Sequence, residues 1–161
     1  MTEAASQTLV HLSTNLVGGT LAAQSVVAKL LKIGNIVSSS SVYKRYLSSA
    51  RVDINSNIEV VFRFKTECAA DELLWHFRQY SAEKKEKLQL LVFDELLVLA
   101  PQITLPNPSL HTDLLVVRCA AEAWPDYEHP IIQKSLREIA AQSPPPLDSQ
   151  FFLQGKTLVD F

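Results

Sequence analysis

Apolar positions along the chain change period in a definite order. "TLVHLST", residues 8 to 14, alternates and predicts a strand, with Asn15 to Gly19 as the turn after it. From Leu21 the apolar residues Ala22, Ala23, Val26, Val27, Leu30 and Leu31 recur at helical spacing, with Thr20 placed to cap the start and Gly34 the end. "NIVSSSSVYKRY" is β-branched and serine-rich, which predicts one strand from Ile36 to about Tyr46. In "IEVVFRFKT", Val60, Phe62 and Phe64 fall on one face and Val61, Arg63 and Lys65 on the other, the pattern of a sheet with one buried side. A second helix is predicted from about Ala70 to Glu83, its stripe made of Leu73, Leu74, Phe77 and Tyr80. Its start lacks a good cap, because Ala69 stands where Ser or Asp is preferred.

Leu88 to Phe93 reads as a strand, Asp94-Glu95 as a turn, and Leu96 to Leu99 as a second short run. The resulting order, β, α, β, β, α, β, is that of an α+β domain in which an antiparallel sheet carries both helices on one face. A proline-bracketed loop from Pro106 to His111 follows. "DLLVVRCAAEAW" and "IIQKSLREIAAQ" then look helical, with Pro125 ending the first and Pro130 opening the second. The chain is expected to form a single domain over residues 1–161, with its core at about 7–140 and a proline-rich linker and tail over 143–161. Phe151, Phe152 and Leu153 are expected to dock that tail.

Composition excludes more than it identifies. A chain of 161 residues with 47% hydrophobic and 20% charged residues can bury its own core, and a formal net charge of −2 supplies no field for nucleic acid or an anionic membrane. Cys68 and Cys119 form no CxxC pair and read as free, buried thiols. His11, His76 and His129 have no metal-ligand spacing among them and are given structural roles; no metal site is expected. The N-terminus has no basic or apolar signal region and no apolar stretch is long enough to span a bilayer, so a cytoplasmic protein is expected. Gly155-Lys156-Thr157 lacks the earlier glycine of a phosphate loop, with Gln150 in its place, and no strand-to-helix context is expected there.

The segment "ITLPNPSLHTDLLVVRCAAEAWPDYEHP" resembles the C-terminal signature of 6-hydroxymethyl-7,8-dihydropterin pyrophosphokinase (HPPK), a folate-biosynthesis family. "LSTNL" at 12–16, "SSVYKR" at 40–45 and "DELLWHFRQYS" at 71–81 are similar to further family motifs. The resemblance implies a ferredoxin-like βαββαβ core with extra C-terminal helices and a tail. It also implies a reaction that moves pyrophosphate from ATP to a pterin, with two magnesium ions held by a D-x-D pair on a strand.

That pair is absent. With Phe93 aligned on the family's phenylalanine, the two aspartates fall on Lys87 and Gln89, an ammonium that repels the cation and a neutral amide. The family's arginines before the strand have no counterpart in "SAEKKEK". Its first loop histidine aligns with Asn107, its loop arginine with Asp113, its pterin-contacting asparagine with Glu59, and its Thr-Pro with Arg45-Tyr46. Asn15, Tyr43, Pro106, Pro108, His111, Glu122 and His129 match.

The cleft candidates are therefore Asn15, Tyr43, Lys84, Lys87, Gln89, Asn107 and His111, with no catalytic residue among them. His111 suits either a ligand contact or a helix cap. Lys84, Lys85 and Lys87 suit either an anion site or a solvated helix end. The resulting expectation is an inactive HPPK-like paralogue that binds a pterin, a nucleotide or a protein partner. A divergent active pyrophosphokinase, with ATP and magnesium, and a structural protein with a filled cleft are the alternatives.

Overall fold

The computed structural model describes residues 5–81 and 86–159. Strand β1 (Ser6–Asn15) leads through Gly18, whose φ of 71° makes the turn, into helix α1 (Gly19–Leu30). Gly18 occupies the cap position that the sequence reading gave to Thr20. Gly34 is not a helix cap; it begins strand β2 (Gly34–Ser39), where a side chain would strike the Lys65 carbonyl and the Phe64 ring.

The strand expected from Ile36 to Tyr46 is two strands, β2 and β3 (Val42–Tyr46), interrupted at Ser40-Ser41. The buried Ser40 makes the break stable: its N–H donates to Val61 O at 2.9 Å and its hydroxyl accepts from Val61 N at 3.0 Å. Both strands pair with the long strand β4 (Ser56–Thr66). Helix α2 (Ala70–Tyr80) follows, with no side-chain cap at Ala69, and strand β5 (Glu86–Phe93) completes the core, which is βαββαβ when β2 and β3, both paired with β4, count as one interrupted strand.

A short hairpin of β6 (Val98–Ala100) and β7 (Ile103–Leu105) lies beyond β5. Then come the turn helix α3 (Ser109–Thr112), α4 (Leu114–Ala123) and α5 (Leu136–Gln142). Pro130 does not open α5. Residues 130–134 form turns with Gln133 at a φ of 62°, and Ser135 caps the helix through Glu138 N–H at 3.2 Å.

The main sheet is antiparallel, ordered β5-β1-β4-β3-β8, with β2 also on β4 and with β8 (Ser149–Leu153) supplied by the tail. The tail docks only partly as expected: Leu153 packs against the core. Phe151 and Phe152 remain 55% and 37% exposed, while Leu158 in the terminal helix α6 (Lys156–Val159) is fully buried. Gly155 therefore does sit between a strand and a helix, yet it packs onto the Ser40 carbonyl and the Ser39 hydroxyl with no room for a side chain. A four-residue helix backed onto the sheet in this way offers no cradle for a phosphate.

Both faces of the sheet are buried, not one. Val10, Leu12, Val60, Phe62, Phe64 and Leu90 pack under α1 and α2. Leu9, Val61 and Leu91 pack under α4 and α5, against Leu115, Val116 and Ile139. Val61, assigned to an open face by alternation, is fully buried, and Arg63 beside it lies 4.2 Å from the centroid of the Trp124 ring. Trp75 on α2, outside the stripe of Leu73, Leu74, Phe77 and Tyr80, is 53% exposed.

Candidate functional site

The face that holds α4 is only partly covered, and its open end is a cleft of about 820 Å³. Register determines which side chains look into it. His11 pairs with Val61 and Gln89, and Ser13 with Glu59 and Lys87, so the same pleat face presents His11, Ser13, Glu59, Lys87 and Gln89. Asn57 and Arg45 add to this floor, and the cleft extends past edge strand β5 to Leu74, Phe77 and Arg78 on α2.

The floor is a compact charge network. Arg45 Nη2 donates to both Asp113 oxygens at 2.7 and 2.9 Å, and Arg45 Nε abuts Glu59 Oε2 as an ion pair. His11 Nε2–H donates to Glu59 Oε1 at 2.8 Å, while His11 Nδ1 lies 3.4 Å from the Gln89 amide oxygen. Glu59 is only 4% exposed, so two partners on two strands compensate its desolvation. Asp113 also caps α4, accepting from Leu115 and Val116 N–H at 3.2 and 3.3 Å. Burial raises the Asp113 pKa, but the Arg45 hydrogen bonds and charge, aided by Val116 N–H, bring it below the ordinary carboxylate value.

Of the sequence candidates, Lys87 and Gln89 do line the cleft. Asn15 does not; it is exposed at the end of β1, where its side chain accepts from Val17 N–H at 2.9 Å and closes a turn. Tyr43 is buried beside α4, its hydroxyl donating to Glu122, its ring edge-on to Phe151. Burial and the Glu122 carboxylate both push the Tyr43 pKa far up, so the phenol stays neutral. Asn107 starts α3, accepting from Ser109 N–H at 3.0 Å, and its own N–H donates to Leu91 O at 2.8 Å. His111 is exposed on α3, its ring 6.2 Å from that of His129. Lys84 lies outside the described residues, as does Lys85.

His11, Arg45, Glu59 and Asp113 form the site without having been selected from sequence. Alternation already placed His11 in phase with Leu9 and Ser13, but which face of β1 carried a cleft depended on where α4 landed. A two-magnesium centre does not fit the donors described around the cleft: from β5, Lys87 brings a cation, Gln89 a neutral amide already beside His11 and Glu86 a single carboxylate, while Glu59 and Asp113 are engaged by Arg45.

No protein-family model matches the chain, and no curated protein matches it. Solved structures do. An HPPK-DHPS variant of Plasmodium falciparum crystallised with pteroate superposes with a TM-score of 0.70 at 10% identity, over 88% of this chain and 44% of the other. The wild-type enzyme with pterin and p-hydroxybenzoate gives 0.70 at 8% identity over 94% and 47%, and the same variant with SDX-DHP gives 0.72 at 9% over 92% and 49%. The chain spans less than half the length of those it matches. At such identities the likeness concerns fold, and the fold of this chain is that of the HPPK-DHPS structures: an antiparallel sheet with helices packed on it.

Proposed function

We propose that this chain is an HPPK-like binding protein that has lost pyrophosphate transfer, holds no resident cofactor, and recognises a flat, uncharged heterocycle of the pterin kind. The observation that carries the reading is the Arg45–Glu59–Asp113 network on the floor of an open cleft whose β5 edge presents Lys87 and Gln89. Phosphoryl transfer depends on positive charge gathered around a triphosphate. Among the described residues that line the cleft, Arg45, Arg78 and Lys87 are matched one for one by Glu59, Glu86 and Asp113, so these supply no surplus to replace the magnesium.

A neutral ring asks for less. Ser13, Asn57 and Gln89 offer donors and acceptors, and Leu74, Phe77 and Leu88 offer an apolar wall. The volume of about 820 Å³ suits a small ligand and counts against a purely structural role with a filled cleft. The fold likeness to an enzyme crystallised with pterin supports the same ligand class. A link to folate chemistry would then run through binding or regulation.

Incubation with ATP, magnesium and hydroxymethyldihydropterin decides the catalytic half of the proposal. AMP should not rise above the protein-free blank, and AMP release that requires both protein and pterin would overturn it. Calorimetry decides the binding half. Saturable pterin binding that Gln89→Ala weakens is expected, whereas no heat with pterins, ATP, GTP or pyrophosphate would sink ligand binding altogether.

A further inference from the structure

We propose that Cys68, Glu72 and His76 form a binding site for a divalent ion of the zinc class, on a different face of α2 from the one that borders the cleft. The three residues stand four apart in sequence, and α2 brings them onto one face just as the chain leaves β4. Their ligand atoms, the Cys68 thiol sulfur, a Glu72 carboxylate oxygen and a His76 ring nitrogen, all lie within 4.8 Å of one another. Tetrahedral zinc with Zn–S of about 2.3 Å and Zn–N of about 2.0 Å holds its ligands roughly 3.3–3.8 Å apart, so the gap closes by modest side-chain rotation. Glu72 is exposed and free to make that rotation.

The surroundings hold the other two ligands in place. Cys68 N–H donates to Thr66 Oγ1 at 3.1 Å, and that hydroxyl donates to Ile33 O at 2.7 Å, which ties the cysteine to the end of the sheet. The His76 ring packs against the rings of Trp75 and Tyr80, at 5.1 and 5.7 Å between centroids. These contacts favour one orientation of the imidazole, as a preorganised ligand requires.

The donor set selects the metal. One thiolate, one imidazole and one carboxylate suit zinc and its neighbours, and do not suit magnesium or calcium, which take oxygen ligands. Three protein ligands leave a fourth position open, as in exchangeable or catalytic zinc sites and unlike closed structural ones. That position faces a cavity of about 900 Å³ that shares no lining residue with the cleft and is also lined by Lys32, Asn35 and Lys65. Water or a small neutral ligand fits there, since Lys32 and Lys65 are balanced by Glu67 and Glu72.

Cobalt titration of the metal-free protein, full chain, tests the site. One equivalent of Co²⁺ should produce a thiolate-to-cobalt charge-transfer band and tetrahedral d–d absorption, both displaced by Zn²⁺ and unaffected by Mg²⁺. Cys68→Ser should abolish the charge-transfer band. His76→Gln should weaken Zn²⁺ binding by more than the roughly 10–100-fold that loss of an outer partner costs. Zn²⁺ should also slow labelling of Cys68 by a thiol reagent, while the buried Cys119 stays unreactive with or without metal. The proposal is overturned if the unaltered protein shows no thiolate band at one equivalent of cobalt, a result that no variant's folding can obscure. It is equally overturned if folded Cys68→Ser and His76→Gln proteins bind Zn²⁺ as tightly as the original.

Discussion

Glu59 is a carboxylate with a few per cent of its surface in water, and it is tolerated because Arg45 and His11 reach it from neighbouring strands. Removing its charge leaves Arg45, itself only partly exposed, with Asp113 and the more distant Asp148 at 3.9 Å. Glu59→Gln should cost about 2 kcal/mol in urea unfolding, below the full penalty for breaking a buried pair because solvent reaches the arginine. An unchanged midpoint would deny the network its stabilising role. Asp113 has a depressed pKa, so it stabilises the fold above its ordinary value near 3.8, and this contribution is lost as pH falls through the lower folded-state value. His129 behaves differently. Burial, then the neighbouring His111, depress its pKa below the ordinary 6.5, and its Nδ1 accepts the Ile131 and Ile132 N–H groups at 3.2 Å each. Its neutral form is the folded one, so its contribution is complete above pH 6.5 and declines as pH falls below that. Thermal melts should show stability dropping as pH falls from 7.5 through 6.5 and below, and the drop should shrink in His129→Gln.

At the scale of elements, the tail is where local pattern and packing diverge most. "SQFFL" advertises its phenylalanines, yet pairing with β3 leaves them at the surface, and the anchoring falls to Leu158 in a helix of four residues. Such a helix has no stability of its own, so β8 and Leu158 must hold it. Leu158→Ala should cost about 2–5 kcal/mol by the cavity it leaves. Gly155→Ala should cost roughly 1–3 kcal/mol, because the new methyl group meets the Ser40 backbone, which cannot move without disturbing the β2–β3 break. A Gly155→Ala protein that melts like the original would mean that the terminal helix is only loosely docked. The Ser40 break itself illustrates the same limit. β-Branched composition predicts extended chain through both strands, but the interruption exists because a serine hydroxyl substitutes for a backbone group opposite Val61.

Across the whole molecule, the sheet is a wall between two cores, and the cleft opens where the second layer of helices stops short. The charge balance of that cleft belongs to the assembled molecule, with contributions from β1, β3, β4, β5, α2 and α4. Restoring Lys87→Asp and Gln89→Asp together should therefore not restore AMP formation with ATP, magnesium and hydroxymethyldihydropterin. The added carboxylates would join Glu59 and Asp113 without bringing back cations for the phosphates, and substantial activity in the double variant would show that two aspartates suffice.

Periodicity alone set the order βαββαβ, the core stripes of α1 and α2, and the common face of Lys87 and Gln89, because each depends on spacings of two or of three to four residues within one segment. It did not reveal that Val61 is buried, that α5 begins at Leu136, or that His11, Arg45, Glu59 and Asp113 meet. Residues separated by tens of positions converge only through strand register, and which face of an alternating strand becomes interior depends on where later helices land. Sequence thus determined the scaffold and the presence of Lys87 and Gln89 on one face of β5. The tertiary structure decided which charges surround them, since burial of charge is settled by partners that local pattern cannot see.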